Sequence, residues 1–431
     1  MTGNRPYEDL VQEDRVHRRV YTDPQIFDEE MDRIFSRTWV FVGHESEVPQ
    51  PGDFKTDSIG RRPVIMVRGK DGLVRVLYNA CRHRGAKVAY EAYGNGAQFR
   101  CLYHGWAYDT TGKLTGIPLR DRFRNFEPEP GFGLLPLPRV QSHRGFVFAS
   151  LAPQGVSLKE HLGRGAHYLD LMCDRAPDGE IEATRPIKYD YRGNWKLQFE
   201  NYSDNYHPSI LHQSALEIGS RMQKDKYGAR NITLKAATSK HVERTYGPGH
   251  SMCDYAGNRG PVWMNAYANP EYLKLIQGKH GADRAQELLE MDLHIMIYPN
   301  LLLHTRMNHY RVLKPLSVDR TEVWAYPCRM KGAPADVNDT LIMNTAHHVS
   351  AMGEVQVDDL QAFGWIQDGL QVEDMEWVLL KLHGEDAHVN EHGELEWYSA
   401  SEEPVRHQYA EWRRLMAGDR AKTAAPVRIS G

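Results

Sequence analysis

Cysteine and histidine alternate twice in one short stretch: Cys81-Arg82-His83, then, after seventeen residues, Cys101-Leu102-Tyr103-His104, the pattern C-x-H-x17-C-x2-H. Each arm brings a thiolate and an imidazole together on a short turn at a strand end, and two such arms can face each other. Two cysteines on one iron and two histidines on the other form the ligand set of a Rieske [2Fe-2S] centre, whose neutral imidazoles raise its potential above that of an all-cysteine cluster. The competing chemistry is a structural Cys2His2 zinc site, in which the order normally runs Cys-Cys then His-His. Gly85 and Gly105 permit tight turns near a cluster, and Trp106 is an aromatic able to shield one from water.

A second constellation lies in GNWKLQFENYSDNYHPSILH, from Gly193 to His212, which supplies Asp204, His207 and His212. Two imidazoles and one carboxylate, with positions left open on one face, hold the mononuclear iron of non-haem Fe(II) oxygenases, and the open face takes O2. On an ideal helix His207 and His212 would sit about 140° apart around the axis and could not reach one ion. Pro208 between them is expected to kink or unwind the helix. A one-electron donor and an O2-activating iron are complementary parts of one machine.

These side chains need elements to hold them. From Asp23 to Arg37 the spacing of Ile26, Phe27, Met31, Ile34 and Phe35 after Asp23-Pro24 predicts one amphipathic helix. From Trp39 to about Ala152 short β-rich runs alternate with Gly and Pro, with hairpin signals at Asp71-Gly72 and around Thr111-Gly112. Beyond Val156 helical texture mixes with strands, including a strand expected over His294 to Val312. One long, bent helical run is expected from Leu341 to about Leu382. The fold class expected is therefore α+β: an all-β cluster domain over 39–155, and a catalytic domain over 156–431 with an antiparallel sheet and iron-bearing helices. Residues 1–38 are expected to form a helical segment packed on that catalytic domain.

The 431 residues, 41% hydrophobic and 26% charged with a formal charge of -4, describe an ordinary globular chain. No block of one charge points to nucleic acid or an anionic membrane. No run reaches the roughly 18 apolar residues of a membrane span, and Met1 to Arg19 lacks the apolar core of a signal peptide, so a cytoplasmic enzyme is expected. Five cysteines are too few and too scattered for a disulfide framework. Cys173, Cys253 and Cys328, without partners at ligand spacing, are read as buried small apolar residues.

Taken together the two constellations resemble the catalytic α subunits of Rieske non-haem iron aromatic ring-hydroxylating oxygenases, over essentially the whole chain. The cluster motif matches at Cys81, His83, Cys101 and His104, and the motif N-W-K-x3-E-N-x2-D-x-Y-H-x4-H matches from Asn194 to His212 without a gap. The resemblance implies that His207 and His212 ligate the iron and that Asn201 and Asp204 are the polar residues beside it. It implies a third, distant aspartate in an acidic pair before a Gln-x-Gly-Leu signature. Val357-Asp358-Asp359-Leu360 precedes Gln367-Asp368-Gly369-Leu370 in that way, so Asp359 is the candidate, with Asp358, Asp368 and Asp374 as rivals. It also implies a homotrimer, or an α3β3 assembly with a small β subunit, in which Asp204 bridges His104 of one subunit and His207 of the next.

The activity implied is that of a terminal oxygenase component, an oxidoreductase that hydroxylates a small aromatic substrate with O2, placing two hydroxyls as a cis-dihydrodiol or one hydroxyl. No Gly-rich dinucleotide fingerprint follows a strand, so NAD(P)H is expected to act only through a separate reductase, with or without a ferredoxin. Arg82 and Arg84 are candidates to receive an acidic donor. His304, Arg306 and Asn308, at alternate positions of the expected strand, would share one sheet face, where Arg306 could pair with a substrate carboxylate; its pairing with an acidic neighbour is the plainer reading. The order of N-terminal features resembles the branch acting on benzoate, salicylate and terephthalate. An aromatic hydrocarbon substrate and O- or N-demethylation are the alternatives within the family. Outside it stand a bare Rieske electron carrier and a zinc-stabilised binding protein. His347-His348, adjacent on a helix and about 100° apart, is read as structural.

Overall fold

The computed structural model describes residues 7–123, 130–214, 241–255, 266–384, 386–398 and 400–418. Contacts divide the chain into a contiguous unit, Phe35–Leu158, and a discontinuous one made of Met1–Ile34 with Lys159–Gly431.

In the contiguous unit three small antiparallel sheets form where the Gly and Pro punctuation allowed short strands. Arg62–Arg68 pairs with Asp53–Ile59 on one side and Val74–Tyr78 on the other, and the expected hairpin at Asp71-Gly72 closes the second pair with Gly72 at φ +79°. The hairpin between Ala107–Asp109 and Leu114–Gly116 turns at Gly112, where φ is +90° and a Cβ would meet the Leu134 carbonyl oxygen at 2.5 Å. Only glycine satisfies both conditions. Ile65, Val67, Leu77, Phe99, Trp106 and Tyr108 build the core of this unit, and Cys81 and Cys101 are part of it.

The discontinuous unit is organised on a ten-stranded antiparallel sheet running, by neighbours, from Ile181–Ala183 through Arg320–Met330, His309–Ser317, Leu301–His304, Leu293–Ile297, His250–Asp254, Val242–Tyr246 and Leu395–Trp397 to His388–Val389, with Ile187–Arg192 also paired to Arg320–Met330. The strand expected over His294 to Val312 is in fact three strands joined by two turns. Thr305 to Asn308 turn the chain, and Asn308 adopts φ +49°. His304, Arg306 and Asn308 therefore do not share a sheet face; His304 instead pairs across the ladder with His294 and His309.

The single long helical run is likewise two helices, Ala335–Val349 and Gln356–Gly369. Gly353 folds back so closely that a Cβ there would lie 2.6 Å from the His347 carbonyl oxygen, and Glu354 donates its N–H to that same carbonyl. After the second helix Trp377–Leu379 is a strand, paired with Arg15–His17. The N-terminal helix runs Pro24–Glu30, capped by Asp23 on the Gln25 N–H, and widens to a π-helical segment at Met31–Phe35. Cys173, Cys253 and Cys328 are buried and form no disulfide. No described helix is long and apolar enough to cross a membrane.

Three helices meet on one buried ion pair. Glu30, at the end of Pro24–Glu30, accepts from Lys196 Nζ at 2.6 Å and from the indole N–H groups of Trp195 at 2.9 Å and Trp412 at 2.7 Å. Glu30 and Lys196 are both fully buried. Such a pair contributes little against an apolar substitute, but breaking it from one side strands a charge in the core. Lys196→Met is expected to cost about 3–5 kcal/mol, read as a lowered thermal midpoint. Adding Glu30→Leu should recover part of that loss; a double variant less stable than Lys196→Met would contradict this account.

Candidate active site and metal centres

The arms carrying Cys81-His83 and Cys101-His104 are built alike. In each, the cysteine N–H donates to the carbonyl five residues on (Ala86, Trp106), and the glycine four residues on donates back to the cysteine carbonyl, all at 2.8 Å. Gly85 and Gly105 take φ of +75° and +73°, which closes each turn. The thiols lie inside, 3% and 2% exposed, while His83 is half-buried and His104 exposed. The two imidazoles stand 4.6 Å apart, ring centre to ring centre, and Trp106 stacks on His83 at 5.0 Å.

Tyr108, which the sequence reading did not single out, places its hydroxyl 3.1 Å from Cys81 Sγ and accepts from the Arg82 N–H. The Nδ1 of His83 is buried without a hydrogen-bond partner. Two interior thiols with no disulfide, two outward imidazoles and an orphaned ring nitrogen fit a cluster with cysteines on the inner iron and histidines on the outer one. Arg82 is exposed and donates to the Gly131 carbonyl at 3.1 Å, and the Arg84 guanidinium lies 5.8 Å from the Tyr103 ring.

In the discontinuous unit, Trp195–Tyr202 is a helix capped by the Asn194 side chain. The chain leaves the helix at Ser203 and resumes for a single turn at Pro208–Leu211, with His207 before it and His212 after it. The irregularity thus precedes Pro208 rather than being a kink within a continuous helix. Proline opens the turn because its missing N–H is unneeded at a first helical position.

His207, His212 and Asp359 converge so that three ligand atoms lie within 4.8 Å of one another. Asp359 Oδ1 is 3.2 Å from His212 Nε2 and 3.6 Å from His207 Nε2. Donors bound at about 2.1 Å to one ion stand about 3 Å apart when at right angles, so the spacing fits a facial set on one metal. The Asn201 amide spans two of the three, 3.0 Å from both Asp359 Oδ1 and His207 Nε2.

Asp358 lies 3.2 Å from His212 Nδ1, on the far edge of the ring. Burial lowers the His212 pKa, but the two carboxylates beside it more than offset this and raise it, marking a place that attracts positive charge. Asp204 Oδ1 accepts the Tyr206 N–H at 2.6 Å, and Oδ2 approaches His207 Nδ1 at 3.2 Å, near enough for an ionic contact though poorly aligned for a hydrogen bond. The other rivals lie elsewhere: Asp368 pairs with Arg192 at the surface, and Asp374 is exposed.

The proposed substrate residues are differently employed. Arg306 donates to Asp292 Oδ2 at 3.2 Å, the plainer of the two readings, and His304 Nε2 is 2.8 Å from Asp292 Oδ1. Burial would raise the Asp292 pKa, but the His304 hydrogen bond and the neighbouring cations hold it well below the usual carboxylate range. Asn308 donates to the Cys328 carbonyl inside the core. His294, His304 and Asp292 form a second grouping of possible ligand atoms, in which the carboxylate is committed to Arg306 and His304. His348 bonds the Asn344 carbonyl on its own helix.

Comparison with known proteins bears on both centres. Residues 179–418 match the family described as ring hydroxylating alpha subunit (catalytic domain), and residues 38–127 match the Rieske [2Fe-2S] domain. The chain is 34% identical to the 2-halobenzoate 1,2-dioxygenase large subunit of Burkholderia cepacia, over 84% of this chain and 78% of that one. It is 30% identical to the biphenyl dioxygenase subunit alpha of Paraburkholderia xenovorans, over 95% and 92%. The structure of naphthalene 1,2-dioxygenase from Rhodococcus sp. bound to indole superposes with a TM-score of 0.84 at 26% identity, covering 94% of this chain and 95% of that one.

Proposed function

This chain belongs to the ring-hydroxylating α-subunit family and is the terminal oxygenase component of such a system, carrying a Rieske [2Fe-2S] cluster and a mononuclear iron, and from that premise we propose how its residues divide the work. Cys81, His83, Cys101 and His104 hold the cluster, and His207, His212 and Asp359 hold the iron. The observation that carries this reading is the convergence of three donor atoms, 3.2 to 3.6 Å apart about Asp359 Oδ1, at the end of a helix broken before Pro208.

Iron(II) held there by His207, His212 and Asp359 would supply the redox chemistry that activates O2 beside the substrate. The surrounding side chains orient that site. Asn201 fixes His207 and Asp359 relative to each other, and Asp358 on Nδ1 of His212 turns its Nε2 toward Asp359. Asp204 faces the outer nitrogen of His207 and remains partly open to the surface.

The substrate we propose is an aromatic ring bearing a carboxylate, as the name of the halobenzoate relative implies for that protein. A neutral aromatic hydrocarbon is the second reading, favoured by the near-complete coverage of the biphenyl relative. Electrons come from a reductase, with or without a ferredoxin, in the cytoplasm. The assembly is a homotrimer, with or without three small β subunits, in which Asp204 meets His104 of the partner subunit. In support, Leu102 and Tyr103 beside the cluster arm and Tyr206 and Ile210 beside Asp204 are exposed apolar side chains of the kind an interface covers.

Anaerobically purified protein is expected to contain about three irons and two acid-labile sulfides per chain and to show a Rieske visible spectrum. O2-dependent hydroxylation of an aromatic acid should follow when a reductase is supplied. Zinc without sulfide would overturn the assignment of both centres.

A further inference from the structure

A row of three histidines crosses adjacent strands of the sheet. His294, His304 and His309 lie in series, with ring centres 4.2 and 5.5 Å apart. Burial, reinforced by neighbouring cationic groups, pushes the pKa of His294 and His309 well below the usual histidine value. Two guanidiniums join them. Arg306 is neutralised by Asp292, whereas Arg311 is not neutralised by any carboxylate among the described residues, although it is only 7% exposed.

The contacts of Arg311 are polar but uncharged. Its Nε donates to His309 Nε2 at 3.3 Å, its Nη1 donates to the Gln356 side-chain oxygen, and the guanidinium lies 5.1 Å from the centre of the Tyr202 ring. A guanidinium has five N–H groups in a fixed fork; His309 and Gln356 take two of them, and the buried Tyr189 hydroxyl is a further polar neighbour. Removing a cation from water without a counter-ion costs several kcal/mol by order of magnitude, and two neutral acceptors with one aromatic face offset only part of that. A buried cation left in this state is suited to an anion brought from outside.

Its position ties it to the chemistry. Gln356 lies one helical turn, about 4.5 Å of rise, before Asp359. From Gln356 hydrogen bonds continue to Gln198 at 3.4 Å and to Asn201 at 3.3 Å, and Asn201 touches the triad. Tyr202, beneath Arg311, also stacks on His294 at 4.8 Å.

We propose that Arg311 is the specificity-determining residue of this site, receiving the carboxylate of an aromatic acid in its unused N–H fork and so setting the ring beside the iron. The proposal rests on the oxygenase reading and deepens it: the role that the sequence suggested for Arg306 passes to Arg311.

Calorimetry with benzoate and benzamide on the iron- and cluster-loaded protein reads this without turnover. Wild type is expected to bind benzoate over its amide by roughly 100-fold, from two charge-assisted hydrogen bonds. Arg311→Gln should abolish that preference, with the cluster spectrum and iron content unchanged, whereas Arg306→Gln should retain it. Equal binding of benzoate by wild type and Arg311→Gln, or loss of the preference in Arg306→Gln alone, overturns the proposal. Failure of the oxygenase reading would be visible separately, as no O2-dependent product from any aromatic, acid or neutral.

Discussion

Replacing His207 with alanine is expected to empty the mononuclear site while leaving the cluster intact: about two irons and two sulfides per chain, an unchanged Rieske spectrum, and no measurable O2-dependent product. The variant keeps His212 and Asp359, a two-donor remnant that cannot hold the metal through purification. The two constellations lie in separate compact units, so nothing in Cys81, His83, Cys101 or His104 should respond. His207 is one-fifth exposed and precedes a single helical turn without capping it through its side chain, so its loss should cost the fold under about 1 kcal/mol. Metal analysis and the visible spectrum of the purified variant check this. Simultaneous loss of both centres would mean that the sites have been wrongly divided.

Asp204→Asn is expected to do nearly the opposite, with both metals retained and turnover reduced by roughly 10–100-fold. Asparagine keeps the oxygen that accepts the Tyr206 N–H, so the loop before Pro208 should hold its shape. What disappears is the negative charge beside His207 Nδ1 and facing outward. If the proposed inter-subunit bridge is correct, the slow step in the variant is the oxidation of the reduced cluster in the presence of substrate and O2. Stopped-flow measurement of that oxidation separates coupling from chemistry: a wild-type rate in Asp204→Asn would refute the bridging role whatever the final yield.

The parts of the site legible in the sequence were those set by local rules. Each cluster arm is one turn with a glycine at positive φ, and the hairpins at Gly72 and Gly112 follow from the same conformational freedom. The helix break near His207 could be argued from the impossibility of two imidazoles 140° apart reaching one ion, although proline lay just after the break rather than at it. Asp359 was singled out by resemblance, because a ligand 147 residues from His212 leaves no local trace.

What was misread was only partly unmarked: Pro299-Asn300 punctuates the first turn within His294 to Val312, whereas the second carries no such signal. Thr305-Arg306-Met307-Asn308 contains no glycine or proline, so alternation across it looked like one strand, and the basic face was assigned to Arg306. The break between the two helices rests on Gly353 packing against a carbonyl, a tertiary contact that helical periodicity could not anticipate. Arg311 escaped notice because its significance lies in what does not neutralise it, and only the folded arrangement displays that.

The buried knot at Glu30 also imposes an order on maturation. Residues 35–158 are contiguous and can close around a cluster as soon as they leave the ribosome. The helix that leads into the iron ligands is pinned through Lys196 to Glu30, and Glu30 is pinned in turn to Trp412, among the last described residues of the chain. The iron pocket can therefore reach its finished form only after Trp412 has been made, whereas the cluster unit is complete by residue 158.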